Sequence, residues 1–275
     1  MDEKKQRAPR SDTALLQACL DGNLDIVRKR IAAGAHVNAG RKDKRPPLET
    51  AARCGHLDIV RELIAAGADV NQIAKINFEA SPGSALIGAI KQNHLETAQE
   101  LVRAGASVVL ETHPGCNAAS EAAFKAIELY WSKNSSLKSV VQALESLGEL
   151  EQKHSFQDWF DFLKQTVKAR AKVNDYCLWE ACKLGCTPVV HYLVSVGSNV
   201  NFMPHDTTPL QIAIHGGFDE IALALISAKA DPNLTGKFSP SPLKLAVAKE
   251  RHTIIRALLD AGATPLDGVL TPTVL

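Results

Sequence analysis

The fifteen residues from Leu24 to Asn38, LDIVRKRIAAGAHVN, return as LDIVRELIAAGADVN from Leu57 to Asn71, 33 residues later. The same register comes back as LETAQELVRAGASV (Leu95 to Val108), PVVHYLVSVGSNVN (Pro188 to Asn201), EIALALISAKADPN (Glu220 to Asn233) and TIIRALLDAGATP (Thr253 to Pro265). A second string precedes each copy: TALLQACLDGN, PPLETAARCGH, SALIGAIKQNH, YCLWEACKLGC, TPLQIAIHGGF and SPLKLAVAKER. Few folds accommodate self-similarity at this period. Each copy is one supersecondary unit too small to bury its own apolar faces, so neighbouring copies must supply the missing surface.

The residues inside a copy predict two helices and the turns that end them. Thr208 and Ser241 can cap the first helix with their hydroxyls, and Pro209 and Pro242 follow at the position where a missing N–H is harmless. Leu210 and Leu243 point inward. Small pairs such as Ala51 with Ala52, or Ala18 with Cys19, let that helix approach its neighbours. Gly22, Gly55, Gly185 and Gly217 provide the positive φ for the turn into the second helix. There, Ile59, Val60, Leu63 and Ile64 form one apolar stripe at helical period. Gly34, Gly67, Gly105, Gly197 and Gly262 end it.

Together these strings resemble the ankyrin repeat, with its Thr-Pro-Leu-His-x-Ala-Ala, Gly-His and Gly-Ala-Asp-x-x-Asn landmarks. The resemblance spans six copies, about two thirds of the chain, with several landmarks in each. It implies an all-α ankyrin-repeat solenoid of stacked helix-turn-helix units with short hairpin fingers, six clear repeats plus one or two degenerate ones. Departures are local: Lys229 stands where Gly is usual, Pro46 where a capping Thr is usual, and no copy carries His after its Leu. His56 and His94 fall at the Gly-His landmark, for which the resemblance implies a turn-stabilising hydrogen bond.

The predicted organisation is a basic disordered tail over residues 1–12, three repeats over 13–108, a stretch without landmarks over 109–174, and three repeats over 175–275. The stretch without landmarks equals two periods in length and ends in Ala171, Lys172, Val173 and Asn174, like an eroded repeat. Helices are expected there at Ala118 to Trp131, Leu137 to Gln152 and Phe156 to Ala169. An unrelated helical insertion is the other reading.

At 45% hydrophobic residues the 275-residue chain can bury a substantial core. Its formal net charge is +1, with +3 up to Val108 (16 basic, 13 acidic), 0 up to Lys172 (8 and 8) and −2 beyond (7 and 9). That balance lacks the field of a nucleic-acid binder. No apolar run is long enough to span a bilayer, and no signal-peptide core follows Met1, so a cytoplasmic location is expected, with secretion by a signal-less route still open. Six scattered cysteines fit a reducing compartment.

Cys177, Cys182 and Cys186, near His191, raise the question of zinc. The repeat register answers it differently: Cys182 occupies the small buried position of Cys19 and Ala52, Cys177 the Pro position and Cys186 the His position after Gly. No metal and no cofactor is expected. No Ser-His-Asp or Cys-His arrangement and no Gly-rich phosphate loop is present, so no catalytic residue is assigned.

The strongest charge cluster, Arg41, Lys42, Lys44 and Arg45 around Asp43, falls where the resembled family extends a finger over its concave face. It suits an acidic partner. Later fingers carry Phe202, Met203 and Phe238, apolar side chains of the kind that dominate binding energy. Arg53, Lys91, Gln92, Lys183 and His215 follow the small pair of the first helix and face solvent by register. The expected function is therefore non-catalytic: a monomer that binds a partner protein on its concave face. Two other readings are a dedicated inhibitor, of immunity or antitoxin type, that occludes a partner enzyme, and an enzyme formed in the stretch from Ala118 to Ala169.

Overall fold

The computed structural model describes residues 9–39, 45–73, 83–110, 116–134, 154–169 and 171–265. Among them are fourteen α-helices, one short 3-10 turn and no strand. The chain divides into two compact units, residues 1–125 with 153–172, and residues 126–152 with 173–275. The first contains α1 (Pro9–Leu20), α2 (Leu24–Ala32), α3 (Pro47–Arg53), α4 (Leu57–Ala65), α5 (Ala85–Lys91), α6 (Leu95–Arg103), the start of α7 (Ala118–Asn134) and α8 (Phe156–Lys168). The second contains α9 (Asp175–Lys183), α10 (Thr187–Ser195), α11 (Pro209–Gly216), α12 (Asp219–Ser227), α13 (Pro242–Ala248) and α14 (His252–Asp260), with the 3-10 turn at Pro204–Asp206.

Within each unit, hairpins pack on one another through like elements. First helices α1, α3 and α5 lie in sequence, as do second helices α2, α4, α6 and α8. In the other unit α9, α11 and α13 form one row and α10, α12 and α14 the other. The apolar stripe makes this possible. Ile59, Val60 and Leu63 of α4 are at most 2% exposed, and Leu101, Leu193, Leu225 and Leu258, at the Leu63 position, are all fully buried.

Caps fix where each helix starts and stops. Thr208 and Gln211 make a reciprocal capping box, with Thr208 Oγ1 accepting from Gln211 N at 3.1 Å and Gln211 Oε1 from Thr208 N at 2.8 Å. Ser84 and Ser241 cap α5 and α13. The glycines after the second helices have φ between 79° and 90°. Lys229 holds the same position with φ 63°, a left-handed conformation forced on a residue with a Cβ.

Side chains then lace neighbouring hairpins together. Asn71 Oδ1 accepts from Ser107 N at 2.7 Å and its Nδ2 donates to Gly105 O at 3.4 Å. Asn233 repeats both bonds, to Thr264 N and Gly262 O. His56 Nε2 lies 3.2 Å from Leu20 O and His94 Nε2 3.1 Å from Arg53 O, the turn bonds that the landmark implied. At the same register in the second unit, Phe218 instead packs its ring against Gly185 and Gly216.

Three expectations change or move out of reach. Helix α1 begins at Pro9, inside the stretch assigned to a disordered tail. The expected helix over 137–152 lies outside the described residues. Among the described residues the fingers form no strand, only isolated bridge residues at Gly83 and Cys116; Pro204 and Pro240 lack the N–H a longer ladder needs, and side chains hold their loops.

Parts of the stretch without landmarks are built like a repeat. Helix α8 packs beside α6 and ends with Ala171 N donating to Thr166 O, as Ala68 N does to Leu63 O after α4. Asn117 replaces the capping Thr: its Oδ1 accepts from Ser120 N at 3.0 Å while Nδ2 reaches Lys172 O at 2.8 Å. Trp159, fully buried on α8, donates from Nε1 to Asn93 Oδ1 at 2.8 Å.

Candidate interaction surface

One register position organises the exposed face of the first helices. Two residues before it, on seven of the described helices, stands an alanine: Ala18, Ala51, Ala89, Ala122, Ala181, Ala213 and Ala246 are at most 3% exposed. The position itself holds Leu20, Arg53, Lys91, Phe124, Lys183, His215 and Ala248, all exposed or half-buried. The alanines let adjacent first helices come close, and the residue two further on is turned out of that contact.

In the second unit this face is aromatic and cationic. Tyr176 and Trp179 stack at 5.5 Å, and the His205 ring meets both edge-on at 6.0 and 5.7 Å. Trp179 is only 6% exposed, and its Nε1–H donates to Thr207 O and Oγ1. Gln211, at the same register on α11, likewise donates to Pro240 O in the following loop. Lys183 lies over Trp179 at 5.4 Å and pairs with Glu180 at 3.1 Å. His215 is exposed, Phe202 half-buried and Met203 38% exposed.

The loops are fastened through Asp206. Its Oδ1 accepts from Lys237 N and its Oδ2 from Phe238 N, each at 2.8 Å, and Ser239 Oγ donates to its carbonyl at 2.8 Å. Gly236 lies so close that a Cβ there would meet Asp206 O. His205 and Asp206 both have positive φ, 52° and 63°. The ring that this arrangement holds out, Phe238, is 87% exposed.

In the first unit, Arg41, Lys42 and Lys44 lie outside the described residues. Arg45 is described, and it does not extend the basic cluster as a free charge. Its guanidinium pairs with Glu49, which is 1% exposed, and the arginine side chain is itself only 15% exposed. Sequence reasoning missed this pair because Arg45 reads as one of a run of surface cations; the signal was Glu49, an acid at the buried register of Trp179 and Gln211. Arg53 is half-buried, its stem lying against Gly88. Lys91 faces Glu121 at 3.5 Å, and Gln92 is exposed at the end of α5.

The thiols have a structural environment. Cys177, Cys182 and Cys186 are fully buried, and burial pushes Cys186 up to about 12 and Cys182 upward still further. Cys19 is likewise raised to about 12, chiefly by burial. His191 lies 3.5 Å from Glu220. Among the described residues no group of three or more His, Cys, Asp or Glu side chains is arranged to hold a metal ion. None of their helices is long and apolar enough to cross a membrane.

Comparison with known proteins gives a consistent result. The family profile described as "Ankyrin repeats (3 copies)" matches residues 1–74, 154–236 and 178–268. An ankyrin repeat-containing protein of Treponema pallidum (strain Nichols) is 33% identical over 87 residues, 31% of this chain. The chain spans only 29% of that relative's length. The crystal structure of the human ASB11 ankyrin repeat domain superposes with a TM-score of 0.55 over 94% of this chain and all of that one, at 21% identity, a likeness of fold.

Proposed function

Since the chain belongs to the ankyrin-repeat family, whose repeats are protein-interaction modules, we propose that it binds a partner protein without catalysing a reaction on it. The binding face is that of the first helices and the loops preceding them. One observation carries this reading: among the described residues, a buried alanine on each of seven helices is followed, two residues later, by an outward side chain that differs from most of its counterparts. The constant alanine serves the stack. The changing neighbour serves none of the packing that the copies share, which frees it to match a partner rung by rung.

On this face of the first unit the contact residues are Arg53, Lys91 and Gln92, with Arg41, Lys42 and Lys44 of the basic loop; on that of the second they are Lys183, His215, Phe202, Met203 and Phe238. Arg45 contributes by anchoring that loop to Glu49 rather than by meeting the partner. Hydrogen–deuterium exchange on the chain with and without its captured partner tests the assignment. Protection is expected in α3, α5, α9 and α11 and the loops before them. Protection confined to the second helices α4, α6, α10 and α12 would refute it. Reversal of Arg41, Lys42 and Lys44 to Glu should slow association with an acidic partner, most at low salt.

A further inference from the structure

Six of the described second helices end alike, with the N–H at the register of Asp69 donated to a side-chain oxygen, but that oxygen comes from two different sources. In four copies it belongs to the landmark Asn of the preceding copy: Asn38 accepts from Asp69 N, Asn71 from Ser107 N, Asn201 from Asp231 N and Asn233 from Thr264 N, at 2.7 to 2.9 Å and across 30 to 36 residues. In the other two the hairpin supplies its own. Asp12 of α1 accepts from His36 N at 3.1 Å, and Asp175 of α9 accepts from Asn199 N at 2.8 Å, each across 24 residues. Both aspartates stand six residues before the buried alanine of their helix, Ala18 or Ala181, where the other described copies have Arg45, Gly83, Cys116, Thr207 and Pro240.

A second register changes at the same two hairpins. At the start of the second helix, His56 reaches back to Leu20 O, His94 to Arg53 O, the Phe218 ring to Gly185 and the Arg251 guanidinium to Asp219, each in the preceding hairpin. The hairpins α1–α2 and α9–α10 carry Asn23 and Cys186 there, side chains too short for that reach. Asn23 caps its own helix, its Oδ1 accepting from Ile26 N at 3.0 Å. Of these two hairpins, α1–α2 is the first landmark copy in the sequence, whereas α9–α10 follows directly on α8, which ends at Lys168. In both registers, nevertheless, α9–α10 is built like a beginning.

Stacked repeats draw stability from what neighbours share, and a perturbation spreads as far as those shared bonds and surfaces carry it. A helix end closed by its own aspartate needs no preceding copy for that bond. The boundary between compact units at Lys172 and Val173 falls just ahead of Asp175. We infer that Asp175 marks a second origin of stacking, equivalent to Asp12, so that the hairpins from α9 to α14 order on their own cap and the protein holds two modules whose stabilities are set separately. On the reading that the first helices bind protein, one module can be loosened while the contact residues of the other keep their places.

Hydrogen–deuterium exchange of the full chain without a partner, followed on peptides from both units, tests this. Leu63 and Leu193 are fully buried. Leu63→Ala should speed exchange through α3 to α6 about thirtyfold or more, and Leu193→Ala should do the same through α9 to α14, each leaving the other unit within about twofold. Asp175→Ala should speed exchange across α9 to α14 about tenfold, the scale of one lost bond to a carboxylate, with α1 to α6 unchanged. Asp175→Asn keeps an oxygen for Asn199 N and should preserve the protection. If Leu193→Ala unfolds its unit altogether, α1 to α6 should still be protected. Acceleration shared by both units in either leucine variant would overturn the inference, as would an Asp175→Ala protein that exchanges like its parent. Neither result would touch the partner footprint, which is read with the partner bound.

Discussion

Asn38 belongs to the first hairpin and makes its bonds in the second, with Oδ1 accepting from Asp69 N at 2.7 Å and Nδ2 donating to Gly67 O at 3.2 Å. One amide therefore satisfies a donor and an acceptor left over where α4 ends. The landmark Asn closes the copy after its own, which is why it recurs at Asn71, Asn201 and Asn233. Asn71→Ala should lower stability by about 1 to 3 kcal/mol, since two backbone groups lose their partner. Asn71→Asp keeps the acceptor and sets a carboxylate against the Gly105 carbonyl, so it should not restore the loss. Urea unfolding of both variants measures the difference.

Leu63→Ala should destabilise by about 2 to 5 kcal/mol, because Leu63 is fully buried between stacked second helices. The same truncation at Leu258, in the last described hairpin, should cost less if that end can collapse onto the gap. Chemical denaturation of the pair settles the register: an unchanged midpoint for Leu63→Ala would contradict it.

Arg45 and Glu49 should behave as a unit. Arg45→Ala removes the guanidinium beside a carboxylate that is 1% exposed and should cost about 3 to 5 kcal/mol, whereas replacing both residues with apolar ones of similar size should cost far less. A double-mutant cycle in thermal unfolding reads the coupling directly. Additive losses would mean that the pair does not stabilise the start of α3.

Lys229→Gly should raise stability by up to about 1 kcal/mol, because it removes a Cβ from a left-handed backbone at φ 63°. The reverse change at Gly67, where an added Cβ meets nothing within 4 Å, should lose about the same amount through backbone strain alone. Gly185→Ala should lose more, since the new methyl would also collide with the Phe218 ring.

The buried thiols fix the alkaline limit. Cys19 and Cys186 are held near 12 against an ordinary 9.0, so above pH 9 the unfolded chain releases protons that the folded chain keeps. Stability is complete below pH 9 and falls as pH rises toward 12, by about 1.4 kcal/mol per pH unit for each such thiol. Cys186→Ala should flatten the decline. In native protein at pH 8, alkylation followed by mass spectrometry should modify half-exposed Cys54 before Cys19, Cys177, Cys182 or Cys186.

What the sequence made legible was whatever recurs. Buried alanines, left-handed glycines, the Thr208 cap and the inward leucines each have several copies to be compared, so their roles could be read by alignment of the chain with itself. Features occurring once left no such trace. Arg45 looked like its basic neighbours until Glu49 was seen beside it. Trp159 binds Asn93 across 66 residues, from a helix whose sequence carries no landmark. The hold of Asp206 on Phe238 depends on two left-handed residues that composition does not flag as special. Phe238 itself was recognisable as an exposed anchor; its fastening was not.

The bonds that join neighbouring hairpins mostly bridge about one period, 29 to 41 residues for the landmark asparagines and histidines. Others reach much farther, among them Asn117 to Lys172 across 55 residues and Trp159 to Asn93 across 66. Closure entropy grows with separation, and a stack with mostly local contacts can begin ordering at any of several places and propagate outward. Helix α8 and the bonds that Asn117 and Trp159 make must close the longest loops before their contacts form. In time, therefore, that stretch joins last, and refolding should begin among the copies that resemble one another and end where the resemblance fails.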